Sequence, residues 1–374
     1  MERKEISMSK IFRMEKAALM VMAAMAMLLI AVGCGSDPTP TPTPKAVATA
    51  TPTPQPKPKI IFAGLNWTSA AVQNEIAKAV LGAGYGYEID EVAGGTVPLM
   101  EALTKGDVNV NLELWLPNQQ AAYAKAEAKG VTQITGDTIT TGAWQSSFMI
   151  PKYVADANPW LKSVEDLKDP RATDLFKSKM SKGKVGIITC IPGWECEQVN
   201  AKQVAGYGLS DYVELINPGS YAALNSEILG AYERKEAIVH YYWGPEALPG
   251  KLSAEYGGYV FLEEPTYTKE CFDYLATVEK PEDATQACAY PLAKVHSVIN
   301  KTQITEANAP EAMAFLKAYN WTGEEIEAML AHGAANDLKA DEIAKWVMTN
   351  DTFAKWKTWV EPAVATKVLA SLEG

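Results

Sequence analysis

As a string of apolar and polar positions, the chain changes period several times after residue 59. Residues 59–65 are a short apolar run of the kind that makes a buried strand. Val72, Ile76, Ala79 and Val80 then recur at helical spacing, which stops at the glycines of 82–84. Residues 87–92 predict a second strand, Gly94-Gly95 a turn, and residues 97–105 a helix. A third strand is predicted over 108–115, with Val108, Val110, Leu112 and Leu114 on one face. A second series opens with an extended segment at 148–151 and a helix start at 163–167. It continues with strands at 184–188, 238–242 and 295–299 and a helix over 221–235, where Leu224, Ile228, Leu229 and Tyr232 keep the spacing. Beyond residue 310 the pattern is nearly all helical, over 310–319, 323–332, 340–348 and 352–372. No unit repeats at a fixed period. Strands alternating with helices at this pace predict an α/β fold with a mostly parallel sheet, whose ligands bind outside the carboxyl ends of the strands.

One stretch interrupts the alternation. Residues 189–196 read T-C-I-P-G-W-E-C, between the strand at 184–188 and helical spacing at 197–204. A Pro-Gly pair turns sharply because proline pre-sets its own φ and glycine tolerates positive φ. A strand, a turn and a helix start in that order place Trp194 and the first helical N–H groups where a ligand can sit.

The first residues belong to no such pattern. A loosely basic start leads into an almost pure apolar run at 17–33, a little short for a membrane span, ending Ala31-Val32-Gly33-Cys34. Small residues before a cysteine are the pattern of bacterial lipoprotein signal peptides, with cleavage before Cys34 and acylation of its thiol. Residues 1–33 are therefore expected to be a signal peptide, in preference to an uncleaved signal anchor. Residues 34–58 form a linker, mostly proline and threonine, that favours extended polyproline II at about 3.1 Å per residue. The expected address is a lipid-anchored, extracytoplasmic one, in the periplasm or on the outer face of the cytoplasmic membrane. A length of 374 residues then fits two lobes plus this appendage. The net charge of -11, with no Lys/Arg cluster, excludes a nucleic-acid footprint.

With Cys34 set aside, Cys190, Cys196, Cys271 and Cys288 remain. Outside the cytoplasm an even number predicts two disulfides with three possible connectivities, of which the local pairs Cys190–Cys196 and Cys271–Cys288 are the economical choice. No metal or other cofactor is expected: the histidines are His240, His296 and His332, and none sits at ligand spacing near the cysteines.

Three tryptophans fall just past predicted strand ends, Trp115, Trp194 and Trp243, each with a proline or glycine within three residues. Singly, such a tryptophan is usually a lid over the core. Together they can form a box for a cation that cannot hydrogen-bond, since indole faces carry negative potential worth about 0.5–2 kcal/mol each when desolvated. Trp67, at the first strand end, is a possible fourth wall. Tyr221, Tyr241 and Tyr242 flank the same motifs and Trp144 sits near the first crossover, all four expected to serve as packing, and Trp160, Trp321, Trp346, Trp356 and Trp359 read as core.

These residues carry a resemblance. The stretches E-L-W-L-P-N-Q (113–119), C-I-P-G-W-E-C-E (190–197), N-P-G-S-Y-A-A-L (217–224) and H-Y-Y-W-G-P (240–245) resemble those of glycine betaine/proline betaine-binding proteins, the extracytoplasmic receptors of ABC importers for compatible solutes. The resemblance implies a two-lobed type II periplasmic-binding fold, residues 59–147 with 293–374 making one lobe and 148–292 the other. It implies a cation cage of Trp115, Trp194 and Trp243, a ligand carboxylate held by the backbone N–H groups of Glu195 and Cys196, and a Cys190–Cys196 bridge around the turn. The implied partners are a zwitterionic or cationic quaternary ammonium ligand and a membrane permease, with the chain itself a monomer. Two positions depart from the family pattern. Gln119 stands where close relatives have a carboxylate-binding histidine, and an uncharged amide donor is weaker. Glu195 stands where glycine is common; facing the cleft it would repel a carboxylate and favour a pure cation such as choline, and facing solvent it would change nothing. The chain is not expected to be an enzyme. His240 and Glu195 allow a choline-ester hydrolase to be imagined, but there is no G-x-S-x-G elbow, metal motif or phosphate loop. A choline or carnitine receptor of the same fold is the nearer alternative.

Overall fold

The computed structural model describes residues 56–373, so the apolar leader, Cys34 and nearly all of the Pro/Thr tract lie outside the described residues. The strands are β1 (Ile60–Leu65), β2 (Ile89–Gly94), β3 (Val110–Leu116), β4 (Thr132–Trp144), β5 (Ser147–Pro151), β6 (Val185–Ile188), β7 (Val213–Ile216), β8 (Val239–Tyr242), β9 (Tyr259–Phe261) and β10 (Ala293–Asn300). They form two five-stranded sheets, in the orders β2-β1-β3-β10-β4 and β7-β6-β8-β5-β9. The chain passes from the first sheet to the second between Trp144 and Ser147 and returns ahead of Ala293.

Both sheets are mixed. β1 runs parallel to β2 and β3, and β6 parallel to β7 and β8, as βαβ units require. β10 is antiparallel to β3 and β4, and β5 to β8 and β9. The antiparallel members are those that begin where the chain arrives from the other sheet, without a helical crossover to set a parallel direction.

β3 is the middle strand of its sheet, and every residue from Val110 to Trp115 is buried. Its polar face, Asn111 and Glu113, is thus as enclosed as its apolar one. The helix after β1, Thr68–Lys78, continues through a wide turn at Ala79–Gly84. A Cβ at Gly84 would lie 2.7 Å from Val364 Cγ1, so glycine there admits the last helix, Pro362–Leu372. The helical stretch predicted over 352–372 is two elements, a 3-10 segment at Asp351–Trp359 and that last helix, with Pro362 at its first position.

Both local cysteine pairs are bridged, Cys190–Cys196 and Cys271–Cys288. Trp321, Trp356 and Trp359 are core residues. Trp346 and Trp160 are only half-buried: Trp346 stacks on His332 with ring centroids 3.6 Å apart, and Trp160 lies under the Arg171 guanidinium at 4.2 Å.

Candidate ligand-binding site

The carboxyl ends of β1, β3, β6 and β8 converge, and each delivers one tryptophan. Trp67 lies two residues beyond β1, Trp115 is the penultimate residue of β3, and Trp243 directly follows β8. Trp194 is the N-cap of the helix Glu195–Gly206, reached from β6 through the Pro192-Gly193 turn. All four are 3–7% exposed and line one cavity. Trp194 stands edge-on between two neighbours, with ring centroids 5.4 Å from Trp67 and 5.0 Å from Trp243 at interplanar angles of 80° and 84°. Tyr242 stacks behind Trp243 at 4.5 Å and 17°, fixing the orientation of that wall.

Three of the four indole N–H groups donate to side-chain acceptors. Trp67 and Trp115 both donate Nε1–H to Oε2 of Glu113, at 2.7 and 3.1 Å, while Gln73 donates to Oε1 at 2.5 Å. Glu113 is fully buried, which raises its carboxyl pKa against the opposing pull of these donors. Trp194 donates its Nε1–H to Oδ1 of Asn66 at 2.6 Å.

The turn before Trp194 is held from several sides. Gly193 has φ of +90°, its N–H donates to Glu197, and its carbonyl accepts from the N–H of Val97 at 3.2 Å. That last bond joins the Pro192-Gly193 turn to the turn at Gly94-Gly95, where a Cβ on Gly95 would lie 2.7 Å from the Gly193 oxygen. The first N–H groups of a helix have no intrahelical partner, so Glu195 and Cys196 present two free amides at the cavity wall.

Glu195 is itself buried and lines the cavity, as do Gln119, Asn118, Thr96, Ser146 and Cys196. Burial raises the Glu195 carboxyl pKa, with the charges of Lys202 and Lys125 pulling it back. Oε1 of Gln119 accepts the backbone N–H of Trp115 at 3.2 Å, which leaves the Gln119 NH2 group as a donor. Among the described residues no lysine, arginine or histidine lines this cavity.

A second polar bridge crosses beside the cavity. The Tyr221 hydroxyl lies 3.1 Å from Oγ1 of Thr68 and donates to Oε2 of Glu246 at 2.7 Å. Burial pushes the Glu246 carboxyl up to about 8, with the charge of Glu113 adding to the rise. Beneath the far wall, Glu264 accepts from Ser147 and Tyr207, and burial pushes it up to about 7. His240 is not part of the site. It is fully buried against the Tyr232 hydroxyl at 3.2 Å, and burial drives its pKa down to about 3.

The structure brings Trp67, Trp115, Trp194 and Trp243 together on this one cavity with Gln119, Glu195 and Cys196, the last of these bridged to Cys190. Tyr241 also lines the cavity, and Tyr290 completes the wall behind it with ring centroids 5.7 Å away. Sequence reasoning missed Tyr290, Ser146, Thr96, Glu246 and above all Glu113. Only Glu113 carried a signal: a carboxylate two residues before Trp115 projects to the same side of a strand.

Residues 58–350 match the family described as the substrate binding domain of ABC-type glycine betaine transport system. The glycine betaine/proline betaine-binding periplasmic protein of Escherichia coli K12 is 28% identical over 233 residues, which is 61% of this chain and 64% of that protein's length. Among solved structures, the glycine betaine/L-proline-binding protein of Borrelia burgdorferi superposes with a TM-score of 0.63 at 18% identity, covering 83% of this chain and 99% of that one. An ABC-transporter choline binding protein in complex with choline gives the same TM-score at 16% identity, over 84% of this chain and 98% of that one. At such identities these two structures speak for the two-lobed fold.

Proposed function

Since the chain belongs to the family of substrate binding domains of ABC-type glycine betaine transport systems, we propose that it is a receptor for a quaternary ammonium compatible solute, glycine betaine or proline betaine, delivered to a membrane permease for import and osmoprotection. The observation that carries this reading is the convergence of Trp67, Trp115, Trp194 and Trp243 on one cavity at the carboxyl ends of four strands. Such faces attract a methylated ammonium that offers no hydrogen-bond donor. The ligand carboxylate is met by the N–H groups of Glu195 and Cys196 and the Gln119 amide. Residues 59–147 with 293–374 and residues 148–292 act as two lobes that hinge at the sheet-to-sheet crossovers, around residues 146–150 and 289–293. The chain works as a monomer, held to the membrane by a lipid on Cys34. No helix of the described residues is long and apolar enough to cross a membrane.

One observation favours a second ligand, choline. Glu195 lines the cavity and no basic side chain among the described residues does, so a cation without a carboxylate also suits the walls. A thermal-shift panel of glycine betaine, proline betaine, choline and carnitine tests the reading. Stabilisation by a betaine is expected, stabilisation by choline alone moves the assignment to the second ligand, and no response to any of the four rules out the ligand class.

A further inference from the structure

We propose that Glu113 is the buried counter-ion and positioning residue of the cage: it holds Trp67 and Trp115 by their N–H groups and makes the cavity discriminate for positive charge rather than for shape. This rests on the cage reading above and says where its preference for a cation comes from.

Glu113 sits on β3, the central strand, with no exposed surface. A single oxygen, Oε2, accepts from the indoles of two cavity walls, and Gln73 holds the other oxygen, so both rings are tied to one anchor. Burial raises the Glu113 carboxyl pKa, and the donors work against that rise: an indole N–H donates and never accepts, so the set on Oε2 favours the ionised carboxylate. No lysine, arginine or histidine among the described residues is ion-paired with Glu113. The neighbouring acidic group is Glu246, equally without a basic partner and linked to the opposite wall by Tyr221. Buried carboxylates are ordinarily paired with a cation. Here the position left for one is the cavity in front of the two rings. An N–H held by an anion also shifts electron density onto its ring, which deepens the negative potential that the ring face turns to the cavity.

Charge and shape are separable by isosteres in which carbon replaces the ammonium nitrogen. The pairs are glycine betaine with 3,3-dimethylbutanoate and choline with 3,3-dimethylbutan-1-ol, titrated by calorimetry into the unmodified chain and into Glu113→Gln and Glu113→Asp. The unmodified chain should prefer the cationic member of whichever pair it binds by at least a hundredfold. Glu113→Gln, which keeps an acceptor of similar length but no charge, should lower that ratio by tenfold or more, while Glu113→Asp should keep it high. A merely structural role would weaken both members of a pair equally; an unchanged ratio in Glu113→Gln therefore overturns the proposal and leaves the cage standing. If Glu113→Gln does not fold, the unmodified chain still decides: equal affinity for the ammonium compound and its carbon isostere overturns it. Binding of none of the four compounds removes the cage reading itself.

Discussion

The indole Nε1–H of Trp194 donates to Oδ1 of Asn66 at 2.6 Å, tying the residue that caps a helix of the second sheet to the residue that follows β1 of the first. The bond exists only when the carboxyl ends of the two sheets face each other, so it stabilises their mutual arrangement and not the separate sheets. A neutral hydrogen bond of this kind contributes about 1 kcal/mol. Asn66→Ala should weaken ligand binding about fivefold, mainly through faster release in stopped-flow tryptophan fluorescence, with the melting temperature of the ligand-free chain unchanged. A lowered melting temperature with unaltered release would place the bond in the fold rather than in closure.

Gly95 makes the same junction a steric test. Any Cβ at this position meets the Gly193 carbonyl at 2.7 Å, an oxygen that accepts from Val97. Gly95→Ala must therefore push the two turns apart, and Trp194 with them. Affinity should fall at least tenfold, and small-angle scattering in saturating ligand should show a larger radius of gyration than that of the unmodified chain.

The Cys190–Cys196 bridge spans the turn that aims Trp194. Closing so short a loop stabilises the chain by about 2 kcal/mol in the chain-entropy account. Replacing both cysteines by serine should lower the denaturation free energy by that order and also cost affinity. Equal affinity in the double variant would show that the flanking hydrogen bonds alone hold the turn.

Glu246 gives the chain a dependence on pH. Its carboxyl is pushed from 4.5 to about 8 by burial, so between those values the folded chain keeps a proton that the unfolded chain has lost. The stability contributed by that proton is present in acid and is lost as pH rises toward 8, with a slope of up to about 1.4 kcal/mol per pH unit. Glu264, raised to about 7, acts in the same sense over a narrower window. Urea denaturation should show the unmodified chain losing stability from pH 5 to 8.5, and Glu246→Gln losing less. Identical slopes in the two proteins would contradict the assignment.

Much of this was legible in the sequence because backbone punctuation and side-chain chemistry coincide at the site. Trp115, Trp194 and Trp243 each precede a proline or follow a glycine, and those breakers mark the strand and helix ends where α/β sheets bind ligands. Glu113 escaped because the alternation of Val108, Val110, Leu112 and Leu114 looks like a strand with one wet face. Only the sheet order, with β3 in the middle, shows that both faces are covered. β4 escaped for a related reason: Thr132–Trp144 is mostly threonine, glycine and polar residues, and it is an edge strand with little need of an apolar period. Tyr221 and Glu246 are 25 residues apart and meet only through the fold. The direction of Glu195 was equally beyond a linear reading, because it depends on the helix start that buries it.

The most direct test of the account is isothermal titration of glycine betaine into Trp194→Ala beside the unmodified chain, with circular dichroism to verify the fold. Trp194 is the wall that touches both Trp67 and Trp243, so its loss should weaken binding well over tenfold while the spectrum stays the same. Unchanged affinity in a folded variant would contradict the cage.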